Sequence, residues 1–411
     1  MRLRLPTDRR AAFGSFCGIV GIVPNPPSFP GVLIEELPNR PRPIDGVPTS
    51  IAAFVGGAAR GPLNEPVRVT SFREFEDAFG GLWLDSTLGY AMRDFFANGG
   101  TEAVVVRLFN GDGVPLTEAD FTGPGKQTAQ QGLYALEKSG GFNLLCLPPH
   151  RDGQGLESGL VSAAAQYCET RRAFLVLDPP ISWTDASSAQ SGMAQGVGTT
   201  SANAAIYFPR LVQPDPLRGN RMGSFAPSGA VAGVIARTDA RRGVWKAPAG
   251  MEATLQGVTR LSVALTDSQA GALNTAGVNC LRTISPAGPV VWGARTLQAR
   301  QNPEWKYVNV RRLALFVEES IERGTQWAVF EPNGAPLWEK LRADAEAFLF
   351  TLWQQGALQG AKAVEAYFVK CDRDTMTQSD IDNGRVNMDV GIAPVRPSEF
   401  VILRIHQTTE A

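Results

Sequence analysis

The sequence predicts an α/β protein in which a mostly parallel sheet is joined to an α+β part. Three observations predict it. The 411 residues exceed one small core, so two or three packed units are expected. The middle of the chain alternates short apolar strands with helices, the pattern of a helix-covered parallel sheet. The last third carries two long amphipathic helices followed by isolated short strands.

"TSIAAFVGGAARG" reads as a buried strand, Ser50 to Val55, that ends in a glycine turn. "SFREFEDAFGG" is a short helix with Ser71 as its cap, Glu74 closing an S-x-x-E box and Gly80 ending it. "DSTLGYAMRDFFANGG" places Leu88, Met92, Phe95 and Phe96 on one helical face, and "EAVVVRLF" is a buried strand. From about 111 the strands "FNLLCLP", "AFLVLDPP" and "AAIYFPRL" alternate with the helices "GLESGLVSAAAQYCETR" and "APSGAVAGVIART". "YVNVRRLALFVEESIERG" and "APLWEKLRADAEAFLFTLWQQG" are the long helices. In the second, Trp338, Leu341, Ala345, Phe348, Leu349 and Leu352 form a core stripe, with Pro336 in the first turn. "AYFVKCD" is a strand, and "TQSDIDNGRVNMDVGIAP" reads as a polar loop and extended segment.

Composition narrows the function. Lys+Arg 39 against Asp+Glu 40 removes any whole-chain case for nucleic acid or an anionic membrane as main partner. Arg171-Arg172, Arg241-Arg242 and Arg311-Arg312 read as surface charges. No run of 18 apolar residues suggests a spanning helix. Five dispersed cysteines without a CxxC pair fit a reducing compartment or thiols buried as small hydrophobes. Residues 1–27 loosely resemble a signal peptide, but Asp8, the glycines and the missing A-x-A site favour a disordered leader or a start codon placed too far upstream.

Catalysis finds little support. His150 and Asp178 stand at the ends of successive strands, where open α/β sheets bind ligands, and Ser187 would complete a nominal triad. No G-x-S-x-G elbow and no second nearby histidine accompany them, so they read as strand-end loop residues. "DRDTMTQSDIDNG" lacks EF-hand spacing, "GPGKQT" is too short for a P-loop, and no other metal or cofactor pattern occurs; none is expected.

The two ends pose the sharper question. "GVLIEEL" is a strand candidate followed by the Pro-rich "PNRPRPIDGVP", residues 38–48; "GIAPVRP", residues 391–397, precedes an apolar strand, Phe400 to Gln407. Such strands expose backbone groups on both sides. They pair either within their own subunit or by addition to a neighbour's sheet.

"PGVLIEEL", "IAAFVGGAARGPLNEPVRVTSFREFEDAFGG", "YAMRDFFANGGTEAVVVRLF", "VWKAPAG", "CLRTISPAGPVVWGARTL", "YVNVRRLALFVEESIERGTQWAVFEPN", "LWQQGAL" and "AYFVKCD" occur in an order that resembles the contractile tail sheath proteins of myophages, R-type pyocins and phage-tail-like extracellular injection systems. The resemblance covers residues 30–110 and 240–411. It implies a non-enzymatic subunit of a helical homopolymer that surrounds an inner tube and contracts to drive the tube through a target membrane. It also implies baseplate and terminator or cap partners, assembly in the bacterial cytoplasm, and neither nucleic-acid binding nor direct membrane insertion. The implied fold is a sheath-type α+β domain completed by donated strands, plus an inserted α/β domain.

The implied organisation is a leader at 1–29, an arm and linker at 30–48, a first core part at 49–110, an inserted outward-facing domain at 111–240, a tube-facing domain at 241–390 and a second linker and strand at 391–411. The donated strands would use Val32, Leu33, Ile34, Glu35 and Leu37, and Phe400, Val401, Ile402, Leu403, Arg404 and Ile405. Hinges would lie at Pro41, Pro43, Pro394 and Pro397, and tube contact at Gln359 and Lys362. Replacing the inserted domain by a short linker would then spare polymerisation. An α/β enzyme using the 111–240 sheet and a non-contracting component of the same particle are the alternatives.

Overall fold

β-branched and small apolar residues between glycine turns build the first strands of the structure, a computed structural model described over residues 42–111, 113–150 and 155–399. β1 (Ala52–Gly57) and β3 (Ala103–Leu108) are wholly buried, and β2 (Pro66–Val69) lies at the edge. Between β2 and β3 run α1 (Phe72–Phe79) and α2 (Leu88–Ala97). Ser71 caps α1 by accepting from Glu74 N, and Gly80 ends it with φ of 91°. The return half of the box is displaced by one residue, because the Glu74 carboxylate accepts from Thr70 N instead.

The chain continues through α3 (Glu118–Thr122), β4 (Leu144–Cys146), α4 (Ser158–Thr170), β5 (Phe174–Leu177), α5 (Ala186–Gln195) and β6 (Ala204–Phe208). A hairpin of β7 (Leu211–Asp215) and β8 (Arg221–Phe225) precedes α6 (Ser228–Arg242). Then come β9 (Arg260–Leu261), α7 (Asp267–Ala276) and the hairpin β10 (Val278–Ile284) and β11 (Gly288–Val291). The last third holds α8 (Val308–Gly324), α9 (Ala335–Gln354), α10 (Ala363–Ala366), β12 (Tyr367–Lys370), α11 (Gln378–Asp382) and β13 (Asp389–Ile392).

Eight strands form one sheet in the order β11-β10-β6-β5-β4-β1-β3-β2, parallel from β10 to β3 and antiparallel at both ends. Alternation along β1 separates two cores. Ala53 and Val55 lie on the side of the sheet whose core also holds Leu160 and Ala164 of α4, Ala189 of α5 and Leu273 of α7. Ala52 and Phe54 face Phe75, Met92, Phe95, Val231 and Ile235 from α1, α2 and α6. The α2 and α6 backbones touch because α6 presents glycines four residues apart. A Cβ on Gly229 would come 2.2 Å from Ala91 O, and one on Gly233 2.4 Å from Phe95 O.

This topology corrects two expectations. Residues 49–110 and 111–240 are not separate domains: β4, β5 and β6 join β1 on one side and β10 on the other in one hydrogen-bonded sheet. Arg312, expected at the surface, is 3% exposed because Asp239 of α6 receives both of its guanidinium Nη groups, at 2.5 and 2.9 Å. Thr49 closes this joint, donating from Oγ1 to Asp239 and accepting from Arg312 at its carbonyl.

α8 and α9 pack as the sequence stripe requires: Leu313, Val317 and Ile321 meet Ala345, Phe348, Leu349 and Leu352. β12, expected as a strand, pairs with β13 as a two-stranded antiparallel sheet, and β13 falls in the stretch expected as a polar loop and extended segment.

Candidate functional site

Val32, Leu33, Ile34, Glu35, Leu37, Pro41 and the segment Phe400 to Ile405 lie outside the described residues. What the structure describes is the two linkers next to these segments, and a sheet that has two strands among the described residues.

The N-terminal linker is laid against α8 and α9. Arg42 N donates to Asp344 Oδ1 at 2.6 Å, and Val47 N donates to Ser320 Oγ at 3.1 Å. Arg42 and Lys340 both lie over the Trp327 ring, at 4.6 and 4.3 Å. Burial raises the Asp344 carboxyl pKa against the opposing Arg42 N–H and the Lys340 and Arg42 charges. Ile44 packs on Gly324, and Gly46 sits where a Cβ would come within 2.8 Å of Phe316 Cζ. Pro43, an expected hinge residue, therefore lies in a fastened segment.

The C-terminal linker is fastened too. Ala393 N donates to Ala366 O, Gln359 N to Ala393 O and Val395 N to Ala357 O, and Pro394 bridges to Leu358. Gln359 Nε2 donates to Pro394 O at 2.6 Å, so this expected tube-contact side chain is engaged inside the subunit. Lys362 is exposed.

Beyond Pro397 stands Glu399. Its carboxylate accepts from Arg295 Nε and Nη2, each at 2.7 Å, from Lys306 Nζ at 2.9 Å and from Tyr307 OH at 3.0 Å. Burial pushes this carboxyl up, but the Arg295 and Lys306 hydrogen bonds, the Arg295 charge and the Tyr307 hydroxyl outweigh it and hold it at about 2. The Lys306 ammonium is shifted upward: burial pulls it down and the bonds to Tyr307 and Glu399 prevail. The sequence reading missed this cluster. Its one local signal is an acid directly before an apolar run of sequence; Arg295 is 104 positions away.

The candidate catalytic residues have packing partners. Both Asp178 oxygens accept from Ser228, from N and Oγ at 2.7 Å, at the start of α6. Burial pushes Asp178 up to about 6, with the Ser228 bonds and the Arg210 charge opposing. The His150 ring packs against Gly57, where a Cβ would come 2.9 Å from Cε1. The crevice between the ends of β1 and β4, the usual ligand position in such sheets, is bridged by the start of α2: Ser86 Oγ donates to Gly57 O, and Thr87 Oγ1 donates to Pro149 O. Ser187 lies in the first turn of α5. Among the described residues no cluster of three His, Cys, Asp or Glu is arranged to hold a metal, and no helix is long and apolar enough to cross a membrane.

Residues 122–297 match the family model of the phage tail sheath protein central domain, and residues 300–408 that of the phage tail sheath C-terminal domain. The helical sheath of the anti-feeding prophage in its contracted state is 32% identical, with a TM-score of 0.73 over 93% of this chain and 99% of that one.

The chain belongs to the contractile tail sheath protein family.

The sheath of an extracellular contractile injection system (the PVC sheath complex, contracted) is likewise 32% identical, with a TM-score of 0.72 over 93% of this chain and 98% of that one. The prophage major tail sheath protein of Pseudomonas aeruginosa (strain UCBPP-PA14) is 27% identical over 377 residues, which is 86% of this chain and 89% of the relative. The sheath protein is thus a structural subunit of a phage-like contractile particle. Its two family regions meet at 297–300, between β11 and α8, and not at the expected boundary of 240.

Proposed function

We propose that neighbouring sheath subunits are linked by strand addition, with β12–β13 as the acceptor and the segments 32–37 and 400–407 as donated strands. The observation that carries this is the two-stranded sheet itself. Among the described residues β12 and β13 have no third strand, and Phe368 of β12 is 54% exposed. Two strands alone are marginal in water, and a third strand supplies main-chain bonds and apolar cover.

In this reading the body moves as one rigid piece during contraction, and chain flexes only at the arms. The inner tube, the baseplate and a terminator or cap protein are its further partners, assembly precedes release from the bacterial cytoplasm, and no catalysis is involved. Lys362 is the proposed tube contact, supported by its exposure beside the solvent-facing Val364.

The test is a chain truncated after Glu399. It keeps every contact described above and is expected to remain a folded monomer by size exclusion while electron microscopy finds no sheath. Each lost ladder bond is worth about 0.5–1.5 kcal/mol net. Long ordered sheaths from the truncated chain would mean that residues 400–411 are not an intersubunit link. With tube protein present, Lys362→Glu is expected to reduce co-sedimentation without changing thermal stability; unchanged co-sedimentation removes Lys362 from the tube face.

A further inference from the structure

The receptor for Glu399 is held by bonds that do not involve the carboxylate. Arg295 is gripped through its backbone by Asn279 of β10, which is fully buried: Arg295 N donates to Asn279 Oδ1 at 2.7 Å, and Asn279 Nδ2 donates to Arg295 O at 2.8 Å. The guanidinium is aimed by a third bond, from Nη1 to Asn274 O at 2.8 Å. Lys306 Nζ donates to Tyr307 OH, whose hydroxyl in turn donates to Glu399. A β-bridge between Arg295 and Tyr307 holds the two sides of the receptor together. The side chains are largely covered, with Arg295 12%, Glu399 17% and Lys306 27% exposed. Exposed ion pairs contribute little, but a covered bidentate guanidinium–carboxylate pair with two more donors is strong and directional.

Ser398 and Arg396 are exposed, and a cavity of about 870 Å³ opens beside Pro397, lined also by Trp245 and Trp292. Residues 395–398 run along this cavity from the bridge at Pro394 to the carboxylate at Glu399.

We propose that Glu399, Arg295, Lys306 and Tyr307 form a latch that fixes the root of the C-terminal arm, so that the arm's pivot lies after residue 399 and not in 391–397. Glu399 is then a positioning residue. It sets the point and direction from which the following strand departs, and it does so in the unassembled subunit. The consequence for assembly rests on the strand-addition reading; the latch itself does not.

The test uses the full chain with Cys17→Ser and Arg396→Cys, carrying a nitroxide on residue 396. Cys146, Cys168, Cys280 and Cys371 are buried, which directs labelling to the introduced thiol. The label is expected to be ordered on the nanosecond scale with Glu399 present. Glu399→Gln, of equal size but uncharged, is expected to shorten its correlation time several-fold, and Glu399→Asp, too short to reach all donors, to fall between. All three chains are expected to fold and to melt cooperatively, the Gln variant losing the stability that the covered pair contributes. Sheath yield from the Gln variant is expected to drop about ten-fold or more, the scale of losing charge-assisted bonds. Equal label mobility in the Glu and Gln chains overturns the latch. Raised mobility with undiminished sheath yield overturns the positioning role and leaves strand addition standing, since that reading is decided separately by truncation after Glu399.

Discussion

A chain in which a short Gly/Ser linker replaces residues 111–240 is expected to be insoluble or unfolded, not a working subunit. The cut removes β4, β5 and β6 from the middle of the sheet, leaving β1 without β4 and β10 without β6. It also removes Leu144, Leu145, Phe174, Leu175, Ile206, Tyr207 and Phe208, all buried in the two cores. Each such side chain contributes about 1.5–3 kcal/mol by burial, so their loss alone rivals the 5–15 kcal/mol net stability of a typical domain. Far-UV circular dichroism and the soluble fraction after expression read the outcome. A soluble, cooperatively melting deletion that still polymerises would restore 111–240 to the status of an insert.

The second large effect is expected at the joint between α6 and α8. Asp239→Ala strands the Arg312 guanidinium with 3% exposure and without its counter-charge, and it also removes the acceptor for Thr49 Oγ1. Breaking one side of a buried pair costs about 3–5 kcal/mol, whereas replacing both sides by apolar residues is often near neutral. Denaturant unfolding should therefore show a midpoint loss for Asp239→Ala that Asp239→Leu combined with Arg312→Met largely recovers. A loss under about 1 kcal/mol for the single substitution would place the pair among solvent-screened bridges instead. The joint couples the sheet to the helical pair, so the same measurement reports whether the body melts in one step.

Local pattern carried much of the fold. Ser71, Gly80 and the stripe Leu88–Met92–Phe95 identified α1 and α2, and the stripe from Trp338 to Leu352 identified α9, because caps and helical periodicity act within a few residues. The missed elements have weak local signals. β7 carries Pro214 and Asp215, its partner β8 buries only Phe225, and α7 is a run of small and polar residues, Asp267–Ala276. The single sheet was hidden for a different reason. The crossovers from β3 to β4 and from β6 to β10 are long, and nothing in the intervening residues states which strand lies beside which. The same distance hid the arm roots. Arg42 meets Asp344 302 positions away, and Arg312 looked like half of a surface dipeptide until α6 supplied Asp239. The resemblance implied a hinge at 391–397, while the bonds that fasten that segment come from residues 357–366.

The attachment of Arg295 to β10 has a mechanical meaning. A pull delivered to residue 399 passes from carboxylate to guanidinium, then through the Asn279 side chain into β10. That strand is not at the margin of the sheet; β6 flanks it on one side and β11 on the other. A strand at the margin yields by peeling, one bond after another. One held on both sides resists with its neighbours, and the tension is shared across the sheet before any bond carries it alone. The firing stroke of a sheath would thus strain the joints between subunits long before it deformed the subunit itself.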